Sequence, residues 1–254
     1  MGIVVMSMAQ RIYKPGSVLA TGSFYKIGVS EPGIYRIDIP LLNSLGVPTA
    51  SLSSSSLRLY GNGGKMLHES NNGEWTDDLE ENALMMVDGG DGFLNGNDYA
   101  LFYASGPDQW LKDSVNQSFI HQKNIYHDKA YYFLTVGGTG KRILSSPNAS
   151  SPNVVINSFS GRYFHELDTV NFLASGKEWY GEELSNLPGR SLTRNFSVNI
   201  PNIVNAAVLS LRTNCIARSV GAGSSFDVKI NSNSVQQISI PPVGTGQYDL
   251  FAQQ

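Results

Sequence analysis

The sequence predicts a mostly β protein with two β-rich domains, the second an antiparallel β-sandwich, and few short helices. Three observations predict it. Polar character is carried by Ser, Asn, Thr, Gly and Tyr instead of charge, since charged residues make up 15% of the chain against the ~25% usual in globular proteins. Turn formers are abundant, with 26 Gly and 11 Pro beside 12 Tyr, a mixture that favours strands joined by tight turns. Short apolar or alternating segments also recur between those turn signals along the whole chain. At 254 residues and 41% hydrophobic content, there is enough apolar material to bury a core.

The first residues, "MGIVVMSMAQ", pair an apolar run with a small-x-small pattern before Gln10 but lack a basic n-region. Residues 1–9 therefore read as a signal-peptide remnant, and the protein as exported. "FYKIGV", "SEPG" and "IYRIDI" follow. Pro32 presets one turn φ and Gly33 would accept a positive one, so a type II turn should join two paired strands. "PLLNSLG" places Pro40 in a first helical turn and Gly46 at a stop, predicting one short helix. "SLSSSS" (Ser51 to Ser56) is a low-complexity patch, and "LRLYGNGG" reads as a strand ending in a glycine turn. "NALMMV", "DYALFYA" and "AYYFLTV" are nearly continuous apolar runs, the pattern of a sheet covered on both faces.

The uncharged "SSPNASSPNVVINS" marks a boundary. It divides a mixed β domain over residues 10–145 from a sandwich over 159–254, with a linker at 146–158. In the second half "FSVNI", "AAVLSLRTNCIA", "SFDVKIN" and "QQISIP" alternate with period 2 between turn signals such as "NSNS", as sandwich strands do. The chain closes on the strand-like "YDLFAQQ", so the sandwich is expected to lack its last strands.

Charge and cysteine usage exclude several function classes. A net charge of -3 from 18 basic and 21 acidic residues is no footprint for nucleic acid. No stretch reaches the ~18–20 apolar residues of a membrane span. A single cysteine, Cys215, forbids an intramolecular disulfide or a cysteine-cluster zinc site.

The stretch "VDGGDGFLNGNDYALFYASGP" raises three chemical questions. A calcium loop needs about six to eight oxygens in a fixed register. Asp88, Asp91, Asn95, Asn97 and Asp98 miss the EF-hand register, which leaves Asp88, Asp91 and Asp98 as candidates for a looser calcium turn, with "DDLEEN" just upstream. The competing reading is glycine turns whose Asp and Asn side chains cap their own backbone. "GGTGKR" (Gly137 to Arg142) superficially suggests a phosphate loop, but Thr135 and Arg142 stand where the motif needs Gly and Ser or Thr, and no helix pattern follows. Cys215 lies in the alternating "LSLRTNCIARS", the setting of an inert small hydrophobe rather than a thiolate. His68, His121, His127 and His165 are scattered. Trp75, Trp110, Trp179, Tyr126, Tyr131, Tyr132 and Tyr180 suit core packing, although exposed rings of this kind could stack on sugars. Arg218 is expected to pair with a carboxylate.

Five blocks in order carry a resemblance: "SFYKIGVSEPGIYRID", "LRLYGNGGKML", "DDLEENALMMVDGGDGFLNGNDYALFYASGPDQW", "FIHQKNIYHDKAYYFLTVGGTGKRI" and "FLASGKEWYGEE". Together they resemble the N-terminal region of the type IX secretion system sortases, gingipain-type cysteine peptidases, from about Gly22 to Glu183 and more weakly to Gln254. The resemblance implies a parent surface enzyme that cleaves a C-terminal sorting domain from secreted cargo and joins the new end to an anionic lipopolysaccharide. Such chemistry fits a Cys–His pair that passes an acyl-enzyme to an amine. In that family the pair lies on a caspase-like α/β domain beyond the matched region, so no catalytic residue is carried onto this chain.

The expectation is a non-catalytic fragment of a cysteine peptidase, at the outer-membrane-associated cell surface. It would scaffold the peptidase and dock an outer-membrane β-barrel partner or cargo. No cofactor is expected apart from calcium at the acidic loop. The rival expectation is a free-standing extracellular glycan- or calcium-binding β module.

Overall fold

Tyr25–Val29 (β1), Gly33–Asp38 (β2), Leu57–Tyr60 (β3), Glu81–Asn82 (β4), Met85–Val87 (β5), Tyr99–Ala104 (β6), Gln109–Asp113 (β7), Ser118–Gln122 (β8) and Ala130–Val136 (β9) make the first part of the protein mostly β. They are taken from a computed structural model that describes residues 13–71, 73, 75–146, 154–176 and 178–254. The expected signal remnant and most of the expected linker lie outside those residues. The chain divides into two units, Met1–Val154 and Val155–Gln254.

In the first unit two antiparallel sheets form, one in the order β1-β9-β3-β4 and one in the order β2-β6-β5, with β7 and β8 as a separate hairpin. Both sheets feed one core. Val29, Leu57, Leu59, Ala130, Tyr132 and Leu134 come from the first sheet, and Ile37, Ala100, Phe102 and Ala104 from the second. Phe102 and Tyr132 meet edge to face at 5.3 Å. The Tyr132 hydroxyl accepts from the Ser105 amide at 2.8 Å and donates to its carbonyl at 3.2 Å, so one side chain fastens the first sheet to the end of β6.

Two local expectations need correction. β1 and β2 are strands, but they do not pair: Tyr25 to Val29 pair with Leu134 to Ala130, while Gly33 to Asp38 pair with Ala104 to Tyr99. The "SEPG" segment carries the chain from one sheet to the other, and Gly33 does not adopt a positive φ. The apolar run of β6 is not covered on both faces either. In β6, Ala100, Phe102 and Ala104 are buried while Tyr103 is exposed, because a two-sheet unit this size covers only the inner faces.

The helix forms as the sequence requires, over Ile39–Ser44 (α1) with Pro40 in its first turn. The Asp38 carboxylate caps it by accepting the Leu41 amide at 3.1 Å. At the other end Gly46 takes φ 79, its amide reaches the Asn43 carbonyl at 3.0 Å and the Val47 amide reaches the Leu42 carbonyl at 2.9 Å. This Schellman closure lets buried Leu42 and Val47 seal the core. No described helix is long and apolar enough to cross a membrane.

In the second unit "SFDVKIN" and "QQISIP" become Ser224–Ile230 (β10) and Asn233–Ile240 (β11), an antiparallel hairpin. Asn231 and Ser232 both take positive φ, 47 and 70, the signature of a type I′ turn. "FSVNI" and most of "AAVLSLRTNCIA" form no strand among the described residues, and Ala217 alone of them bridges, to Gln253. The physical reason is partnership. Period-2 alternation sets which face a segment would bury, but a strand exists only where a neighbour supplies ladder hydrogen bonds. Val208, 97% exposed, shows the alternation without the partner.

Candidate functional site

The acidic glycine loop between β5 and β6 is built into the scaffold. Leu94 is buried, its amide donates to the Leu52 carbonyl at 2.8 Å, and the Ser54 amide donates to the Gly92 carbonyl at 2.9 Å. Gly89, Gly90, Gly92 and Gly96 all take positive φ, as a non-glycine residue rarely does. Each carboxylate serves the loop itself. Asp88 accepts the Gly90 amide at 3.1 Å, Asp91 accepts the Phe93 amide at 2.8 Å and the Asn95 side-chain amide at 3.2 Å, and Asp98 accepts the Asn95 amide at 2.9 Å. The nearby Ser54 hydroxyl, short of hydrogen-bond geometry, and the Gly90 amide hold the Asp88 carboxyl below its ordinary range. Among the described residues no group of three or more His, Cys, Asp or Glu is placed to hold a metal ion.

The "GGTGKR" loop is stitched inward rather than open to a phosphate. The Gly137 and Gly140 amides donate to the Ser56 and Ser55 carbonyls at 2.9 and 3.0 Å. The Lys141 amide donates to Glu81 at 2.8 Å, and Glu81 also accepts from Arg58 at 2.9 Å. Arg142 donates to the Ser54, Leu57 and Lys141 carbonyls at 2.6, 3.0 and 2.7 Å. Burial pulls the Arg142 guanidinium down from its ordinary value, against the nearby Glu81 charge. Sequence reasoning rejected a phosphate loop but missed this knot, whose members lie far apart in the chain.

Burial shifts the Cys215 thiol, with no imidazole among the causes. Cys215 is half-buried and free, and burial pushes its thiol up, which leaves a neutral, poorly nucleophilic group. His127 is hydrogen-bonded to the Tyr131 hydroxyl at 2.9 Å, and His165 to Glu182 at 2.6 Å with the Phe196 ring tilted against it at 4.8 Å. His121 lies 3.9 Å from Asp108 and 4.9 Å from the Trp110 ring. The His165–Glu182 pair was invisible in the sequence because 17 positions separate the two and no motif spans them.

The aromatic and arginine expectations are partly overturned. Tyr132 is core, but Trp75, Trp110, Trp179 and Tyr126 are exposed. Trp110 lies on β7, where Leu111 opposite Ile120 and Lys112 opposite Phe119 keep large side chains at the surface of the β7–β8 hairpin. Arg218 donates to the Phe251 carbonyl at 2.9 Å and lies 4.1 Å over the Phe251 ring. A carbonyl and a π face satisfy it in place of a carboxylate.

Against known proteins, no family model and no curated protein matches the chain. Among solved structures the chain bears a distant likeness to dimeric latent PorU from Porphyromonas gingivalis. Identity is 26% and the TM-score 0.39, over 55% of this chain. The match spans 12% of that PorU chain. At that overlap the likeness assigns no residue a role.

Proposed function

We propose that this chain is a non-catalytic, β-rich part of a type IX secretion system sortase of the PorU kind, exported to the outer-membrane-associated cell surface. Its role is to scaffold the peptidase and to dock an outer-membrane β-barrel partner or secreted cargo. The observation that carries this reading is the ordered set of five sequence blocks. Four of them supply the framework of the first unit: β1 and β2, then β3, then the segment from β4 through the glycine loop to β6, then β8 and β9 with the loop that binds Glu81. What the blocks share with the sortases is therefore framework, which supports a scaffolding role over a catalytic one. The neutral, half-buried Cys215 supports the same side.

The test is a peptide-cleavage assay on the purified chain under reducing conditions, beside Cys215→Ala. Neither protein should show thiol-dependent cleavage. Activity that disappears with the substitution overturns the reading.

A further inference from the structure

Tyr60 is out of place for a strand end. In β3, Leu57 and Leu59 point into the core, so Arg58 and Tyr60 belong to the outer face of the sheet. Yet Tyr60 is only 6% exposed and lies outside the core cluster. Phe24, at the end of the segment 13–24, is one of the groups beside the ring, with Arg58 and Glu81. Phe24 meets the Tyr60 ring edge to face at 6.3 Å, and the Ser23 carbonyl accepts the Thr135 hydroxyl of β9 at 2.8 Å. Farther back the Asp78 carboxylate accepts the Ser17 hydroxyl and the Val18 amide, both at 2.8 Å, Asp77 accepts the Lys14 amide, and Tyr13 sits edge to face on Trp75 at 5.2 Å. The anchor is itself held to the sheet, because the Asn62 side chain donates to the Asp78 carbonyl at 3.1 Å and accepts the Glu80 amide at 2.8 Å.

We propose that residues 13–24 form a strap, latched by Asp77 and Asp78, that closes over the outer face of the four-stranded sheet and opens to uncover Tyr60 beside the Arg58–Glu81 pair. Most of its residues are exposed, as are the Lys14 and Ser17 bonds to Asp77 and Asp78, which places it at the low-stability end of local opening. Arg58 stands 5.1 Å over the Tyr60 ring and 2.9 Å from Glu81, so opening exposes an aromatic ring and a charged pair together. Burial is the first cause that pushes the Tyr60 phenol up, and the Val18 amide is the first that holds the Asp78 carboxyl down.

Tyrosine nitration by tetranitromethane, read by peptide mapping, tests the strap with controls built into the chain. Tyr126, 80% exposed, reports free reactivity and Tyr132, 1% exposed, reports the intact core. In the unaltered protein Tyr60 should react far more slowly than Tyr126. Ser17→Ala, which removes a latch bond and leaves the Asp78 charge near the phenol unchanged, should raise the Tyr60 rate roughly tenfold, as expected for losing a hydrogen bond to a charged group, with Tyr132 still protected. A Tyr60 rate equal to that of Tyr126 in the unaltered protein, or unchanged by Ser17→Ala, overturns the proposal.

Discussion

Tyr132 and Glu81 show how single side chains join segments far apart in sequence. Removing the Tyr132 hydroxyl deletes two hydrogen bonds to Ser105 and leaves the ring in its core place. Tyr132→Phe should therefore cost about 0.5–1.5 kcal/mol per bond lost, read as a lower urea midpoint at unchanged slope. Glu81 adds a pH signature. Burial raises its carboxyl, but the Arg58 hydrogen bond, the Lys141 amide and the Arg58 charge outweigh burial, so its folded pKa lies below the ordinary 4.5. A depressed carboxyl pKa stabilises the fold above the unfolded value, and that contribution fades as pH falls through the folded one. Melting temperature should drop as pH goes below about 4.5, and Glu81→Gln should be less stable at neutral pH with a flatter acid limb. An unaltered acid limb in the variant would show that Glu81 is not the group responsible. None of this could be read from the sequence, since Arg58, Glu81 and Lys141 meet only once β3, β4 and the loop after β9 are assembled.

Elements were legible where their signals are local. The proline and glycine around α1 sit within a few residues of one another, and the type I′ turn between β10 and β11 needs only Asn231 and Ser232. Asp38→Ala should remove the helix cap and cost about 1 kcal/mol, measurable by chemical denaturation; a loss near zero would mean the cap is redundant with the packing of Leu42. Pairing was not legible. Pro32 and Gly33 suggest a turn, but whether that turn closes a hairpin or crosses between sheets depends on β9 and β6, which bid for β1 and β2 from later in the chain. The acidic loop was legible as a turn, because each of Asp88, Asp91 and Asp98 reaches an amide two or three residues away, a distance the sequence shows directly.

For the whole molecule, composition foretold a mostly β protein, while the distribution of order between its halves was hidden. The first unit closes a core from two sheets, and the second shows, among the described residues, one hairpin and a few isolated bridges between segments that alternate, because alternation describes a face and says nothing of what covers it. Leu134, fully buried in β9 between β1 and β3, is the place to test that core: Leu134→Ala should cost about 2–5 kcal/mol, and a smaller loss would mean the two sheets do not share one core. The proposed function makes this chain the framework of a larger sortase. The most direct measurement is the coding sequence that follows Gln254 in the gene. The account predicts continuation into an α/β peptidase domain bearing a cysteine and a histidine placed to react, and a stop codon directly after Gln254 would contradict it.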